Sequence, residues 1–118
     1  MSDSEVDGAL ARFGAAFDAR DVDAIMAAMT DDCVFENTSP PDGRRYEGQD
    51  EVRAAFTELF ASSADARFTL EERIVAGNRA VDLWRYDWSG DEPGHVRGID
   101  VFTLRDGLVA AKVSYVKG

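Results

Sequence analysis

With 118 residues, 45% of them hydrophobic and 31% charged, the chain is sized for one globular domain, residues 1–118, and is large enough to enclose a pocket. Asp and Glu outnumber Lys and Arg by 23 to 13, a formal net charge of -10, which repels phosphate and excludes nucleic acid and anionic membrane surfaces as natural partners. Cys33 and His95 are each the only residue of their kind, so an intrachain disulfide and a Cys/His zinc cluster are excluded and no metal is expected.

The first residues, Met1-Ser2-Asp3-Ser4-Glu5, are acidic where a secretory signal would be basic, and no apolar run approaches the ~20 residues that span a bilayer. A cytoplasmic protein is expected. From Ser4 to Arg20, Val6, Leu10, Phe13 and Phe17 recur at spacings of three and four, which predicts a helix capped by Asp3 or Ser4. Asp21 caps a second, short helix to Met29, with Val22, Ile25, Met26 and Met29 on one face.

Asp31-Asp32 ends the helical pattern, and Cys33 to Thr38 alternates as a strand with Cys33, Phe35 and Asn37 on one side. Ser39-Pro40-Pro41-Asp42-Gly43 reads as a loop, and Val52, Phe56, Leu59 and Phe60 mark a third helix over Gln49 to Ser62. The period then becomes two. Ala66 to Ala76, Arg79 to Trp88, His95 to Arg105 and Leu108 to Lys117 are extended runs joined by Gly77-Asn78, a longer loop from Ser89 to Gly94, and Asp106-Gly107. The fold class is therefore α+β: three helices, interrupted by one strand, packed on the concave face of a curved antiparallel sheet.

Four stretches of sequence carry a family resemblance. Asp18-Ala19-Arg20-Asp21-Val22-Asp23-Ala24-Ile25, followed by Met29 to Asn37, resembles the start of the nuclear transport factor 2-like superfamily. Gly48-Gln49-Asp50-Glu51-Val52-Arg53 and the closing Gly98 to Val109 resemble its SnoaL-like branch, which includes polyketide cyclases and borders on the ketosteroid isomerases. The resemblance implies a cone, with the bent sheet wrapped around the helices and a pocket open at one end. It specifies a fold more sharply than an activity, because this scaffold hosts isomerases, cyclases, dehydratases, epoxide hydrolases and proteins with no known chemistry.

Period-two alternation then nominates the lining. With Asp100 inward, Val96, Gly98, Phe102 and Leu104 are inward too, and Asp82, Trp84, Tyr86 and Trp88 share one face of the preceding strand. The resemblance adds Lys112, Ser114 and Val116. With Phe13, Phe17, Phe35, Phe56 and Met26, these residues predict an apolar, aromatic cavity with a few polar atoms, suited to a small apolar molecule.

Asp100 is the leading catalytic candidate, because it interrupts a buried-looking strand between Ile99 and Val101 and an unpaired buried carboxylate is costly. Its pKa is expected to rise unless Lys112 or an arginine is in contact. In similar ketosteroid isomerases the matching aspartate stays protonated and donates to a developing oxyanion. The structural alternative pairs Asp100 with Lys112, Arg85 or a tyrosine hydroxyl.

Two positions depart from the isomerase pattern. Asn37 stands where those enzymes keep a general-base aspartate, and Phe13 where they keep an oxyanion tyrosine. An amide cannot abstract a proton and a phenyl ring cannot donate one, so the familiar steroid mechanism is not expected. Asn37 either positions a ligand oxygen or caps its strand end. The remaining enzymatic option is Asp100 as lone acid/base, with Tyr86 or Tyr115 as donor, although Tyr115 is predicted outward.

Asp82 is expected at a solvated rim, Lys112 with its stem along the cone and its charge in water, His95 solvated in a loop, and Cys33 as a small core residue. No glycine-rich loop joins a strand to a helix, so no cofactor is implied. The competing class is a non-catalytic ligand-binding or assembly module. Outward Leu83, Arg85, Ile99, Val101, Val113 and Tyr115 would let its sheet face form a homodimer.

Overall fold

Ser2 starts the first helix, α1 (Asp3–Asp18), through a reciprocal cap: its hydroxyl accepts from the Glu5 backbone N–H and the Glu5 carboxylate accepts from its own. The computed structural model describes residues 1–118. Val6, Ala9, Leu10, Phe13 and Ala16 form the buried stripe of α1. Arg20 turns the chain with a φ of 55° and donates to the carbonyls of Phe60, Ser63 and Ala66 at 3.3, 2.8 and 2.7 Å. One guanidinium thus fastens the end of α1 to the segment after the third helix. Asp21 caps α2 (Val22–Ala27) by accepting from the Ala24 N–H.

The first strand, β1 (Met29–Glu36), begins four residues ahead of the predicted Cys33, and its register with its neighbour is irregular between Met29 and Val34. That irregularity absorbs the exposed Asp31-Asp32 pair without ending the strand. A short strand that the sequence pattern does not predict, β2 (Arg45–Glu47), pairs with β1 and leads into α3 (Gly48–Ser62). Gln49 of α3 donates to the carbonyls of Met26, Met29 and Thr30, tying α3 to the start of β1.

The meander follows as predicted: β3 (Ala66–Ala76), β4 (Arg79–Trp88), β5 (Gly94–Arg105) and β6 (Leu108–Val116). Asp106 and Gly107 take consecutive φ of 54° and 80°, the left-handed pair a tight hairpin requires. His95 lies at the start of β5 opposite Asp87, exposed as expected, but in a strand rather than the loop.

The six strands run in the order β2-β1-β6-β5-β4-β3, and β1 pairs parallel with β6. The sheet is therefore mixed, which corrects the antiparallel expectation. Alternation of side chains has the same period in both pairings, and the direction of β1 is set by the long crossing through α3 and the meander. The sheet curves around the helices and stays unclosed, giving the cone-shaped α+β fold. Seventeen buried residues form one core cluster, and Cys33 belongs to it, with its thiol pKa pushed up by burial.

Candidate functional site

A row of polar side chains crosses the concave face of the sheet. The strand registers place Arg73, Asp82, Asp100 and Ser114 side by side on β3, β4, β5 and β6. Asp82 and Asp100 are therefore direct cross-strand neighbours, an arrangement that is destabilising for like charges unless each has a cation. Each has one, on opposite sides.

Arg73 grips Asp82 through two bonds, from Nε to Oδ1 at 2.7 Å and from Nη2 to Oδ2 at 2.9 Å. Its Nη1 also donates to the Asp7 carboxylate on α1 at 3.2 Å. The Asp82 hydrogen bond holds the Arg73 guanidinium pKa above its already high ordinary value. Asp82 is only 8% exposed, so it is not the rim residue expected from sequence. Both its oxygens are occupied, and its role here is to balance Arg73.

Asp100 differs. Ser114 Oγ donates to its Oδ1 at 2.6 Å, and Lys112 Nζ stands 3.5 Å from that same oxygen while donating to Ser114 Oγ at 3.2 Å. The cation in contact with Asp100 is therefore Lys112 rather than Arg85, which pairs with Asp87. Asp100 Oδ2 takes no bond from the protein, so it is the carboxylate oxygen able to meet a ligand.

Lys112 does not snorkel to water as expected. It is 7% exposed, with Nζ 4.8 Å from the Phe35 ring centre and 5.4 Å from that of Phe17. Aromatic faces, Asp100 and Ser114 together replace its hydration, which is the condition for keeping an ammonium inside.

The space above this row is divided in two. One compartment of about 230 Å³ is lined by Phe35, Asn37, Leu59, Tyr86, Val96, Ser114 and Val116 among others. A second compartment of about 350 Å³ lies beneath α1, against Leu10, Ala11, Phe13, Gly14, Leu70, Arg73, Asp82 and Phe102. Phe17, Phe68, Trp84, Asp100 and Lys112 line both. A surface hollow of about 500 Å³ beside Arg20 carries no buried ionisable group, and Arg20 itself is engaged by three carbonyls.

Of the predicted lining, Phe13, Phe17, Phe35, Asn37, Trp84, Tyr86, Asp100, Phe102 and Lys112 reach one or both compartments. Five do not. Phe56 is fully buried behind Phe17 and Phe35, Met26 and Leu104 lie in the core, Gly98 is covered by Trp84, and Trp88 packs on Gly94 while its indole N–H donates to the Glu92 carbonyl in its own hairpin. Periodicity gives a residue's face, but a helix-facing position is wall only where the helices leave space. Asn37 Oδ1 accepts from the backbone N–H groups of Ser39 and Arg44, so the strand-end cap is real and only the amide NH₂ can serve a ligand. Tyr115 is exposed, as expected.

Phe68, Leu70 and Arg73 also line the cavity, and sequence reasoning does not single them out. Phe68 packs against Phe17, Trp84 and Tyr86 with ring centres 5.6, 5.2 and 4.6 Å apart. A signal for it exists, since Phe68 and Leu70 alternate in a strand facing Tyr86 and Trp84. Arg73 is not legible, because a bulge between Leu70 and Glu72 shifts the phase of β3 and turns Arg73 inward. Close packing fixes the residue at position 98 as glycine. A Cβ on Gly98 would lie 2.3 Å from the Tyr115 carbonyl oxygen and 2.5 Å from the Trp84 ring, so only glycine lets Trp84 lie against β5.

Comparison with known proteins agrees with this architecture. A family model described as a SnoaL-like domain matches residues 10–112. A nuclear transport factor 2-like protein of unknown function from Mesorhizobium loti superposes with a TM-score of 0.85 at 35% identity, over 98% of this chain and 93% of that one. A candidate ketosteroid isomerase from Kribbella flavida (TM-score 0.82, 17% identity, 98% and 79% covered) shares the fold. So does a candidate polyketide cyclase from Sinorhizobium meliloti (TM-score 0.76, 18% identity, 91% and 93% covered). No curated protein matches the sequence significantly. With the family model spanning most of the chain and a one-third-identical relative sharing its cone, the protein belongs to the SnoaL-like family of the nuclear transport factor 2-like fold.

Proposed function

We propose that the cone binds a small, largely apolar cyclic or aromatic molecule bearing a carbonyl and catalyses a cofactor-free proton transfer of the isomerase or cyclase type, with Asp100 as acid/base. The observation that carries this reading is the asymmetry of the two carboxylates: Arg73 occupies both oxygens of Asp82, whereas Asp100 keeps Oδ2 free in an aromatic cavity. In the forward step Oδ2 takes a proton from the carbon beside the carbonyl, and the electron pair moves onto the carbonyl oxygen. Lys112 lies close enough to Asp100 to stabilise that oxyanion, and Tyr86 in the wall of the smaller compartment is a second donor. Return of the proton to a different carbon completes an isomerisation.

The test is a thermal-shift screen of apolar cyclic ketones, 2-tetralone and 1-indanone among them, since a ligand of the folded state alone raises its stability. Binders are then followed by NMR for deuterium uptake at the carbon next to the carbonyl. Asp100→Asn should preserve binding and lower exchange by about a hundredfold or more, the usual size of a general-base contribution. Exchange equal in both proteins removes Asp100 from catalysis. One observation favours the alternative of a non-catalytic binding module: Asn37 and Phe13 supply neither a second base nor a hydroxyl donor.

We further propose a homodimer through the convex sheet face. Two cross-strand rows there are apolar, Ile74-Val81-Val101-Val113 and Leu83-Ile99-Tyr115, and Ile74 and Tyr115 are 51% and 56% exposed. Sedimentation should give about twice the 12.9 kDa chain mass, and Val101→Lys should return it to a monomer. A wild-type mass of 12.9 kDa would refute the dimer. A cytoplasmic location is proposed with it, supported by the single, buried, unpaired Cys33; no helix is long and apolar enough to cross a membrane.

A further inference from the structure

We infer that the two compartments form one bipartite site for elongated molecules with an oxygen-bearing centre between two apolar arms, and that Gly14 sets the size of the arm admitted beneath α1. The inference rests on the proposed small-molecule reading and narrows its ligand class.

Two observations carry it. The residues common to both compartments include Asp100 and Lys112, so the ionisable groups able to meet a polar atom stand at the junction, while Phe17, Phe68 and Trp84 are the aromatic walls there. The compartments, about 350 and 230 Å³, each exceed the roughly 150 Å³ that suffices to hold a benzene ring. Each lobe thus takes a ring, and the polar centre falls between them.

Gly14 is the residue that keeps the larger lobe open. It sits within α1, where glycine is a poorer helix former than alanine, and a Cβ built on it meets nothing within 4 Å. Its inward neighbours Leu10, Phe13 and Phe17 are all large. Gly14 lines the lobe and a Cβ there faces open space, so the position has room for a larger side chain to occupy part of it.

Calorimetric titration with two enolisable diketones tests this. Dibenzoylmethane has a phenyl arm on each side of its oxygen pair; benzoylacetone has only one. The wild-type protein should bind dibenzoylmethane more tightly by about tenfold or more, the discrimination an apolar pocket gives a missing group. Gly14→Phe should erase that preference by weakening dibenzoylmethane alone, with benzoylacetone nearly unchanged. Gly14→Leu should behave likewise if the bulkier variant folds poorly, and Gly14→Ala should keep the preference. Equal weakening of both ligands, or an unchanged preference, would overturn the bipartite site. Failure of the wild type to bind either would instead overturn the small-molecule reading on which it rests.

Discussion

Lys112→Met should lower the folding free energy by about 3–5 kcal/mol, because it leaves the Asp100 charge buried without its counter-ion. The side chains of Lys112 and Asp100 are 8% and 13% exposed, so water cannot screen the loss as it would at a surface pair. Methionine matches the lysine stem and keeps favourable sulfur contacts with Phe35 and Phe17, which confines the change to charge. The second substitution decides the cause. Asp100→Asn added to Lys112→Met should restore most of the lost stability, since an amide pairs with Ser114 and carries no charge to strand. Urea midpoints of the four proteins in the cycle measure the coupling. If the double variant is as unstable as the lysine variant alone, Lys112 matters through packing on its aromatic cage and the ion pair is incidental.

The depth of Lys112 is not legible in its strand. The family resemblance assigns it a face, but whether an inward lysine reaches water depends on what stands above it, and here three rings contributed by α1, β1 and α3 close over the ammonium. The same limit explains Phe56 and Trp88, whose faces follow from periodicity and whose surroundings do not. By contrast, Phe13, Phe17, Phe35, Trp84, Tyr86, Phe102 and Asp100 sit in long, regular elements where a period of two or 3.6 maps directly onto the cavity wall. Errors gather where the backbone departs from regularity. The bulge in β3 hides Arg73, the irregular start of β1 hides four of its residues, and β2 is three residues long, too short to show a period. The parallel pairing of β1 with β6 joins distant parts of the chain, and no local pattern encodes it. Arg73 matters most among these, because without it the cavity would have two carboxylates side by side and one cation.

Arg73→Met should recreate that imbalance. The Arg73 and Asp82 side chains are 13% and 12% exposed, so removing the guanidinium leaves a buried carboxylate opposite Asp100 and should cost about 3–5 kcal/mol. Asp7→Asn is the control. It removes the charge of the other carboxylate on Arg73, at a side chain that is 62% exposed, leaves the Asp7 carbonyl accepting from Nη1, and should cost less than about 1 kcal/mol. The penalty in Arg73→Met should also depend on pH with a definite sign. A stranded carboxylate folds more easily once protonated, so the gap between variant and wild type should be full near neutrality and shrink as the solution is acidified through the carboxylate range. Glu5 and Asp32 behave oppositely. Ser2 and Arg105 hold their carboxyls below the ordinary range, so their contributions are present above the unfolded-state pKa and lost as pH falls through the folded one. Both proteins share that loss, so subtracting their stabilities at each pH isolates the Asp82 charge. A penalty that stays constant between about pH 7 and pH 4, across the carboxylate range, would mean Arg73 acts by bridging α1 to β3 and not by neutralising Asp82.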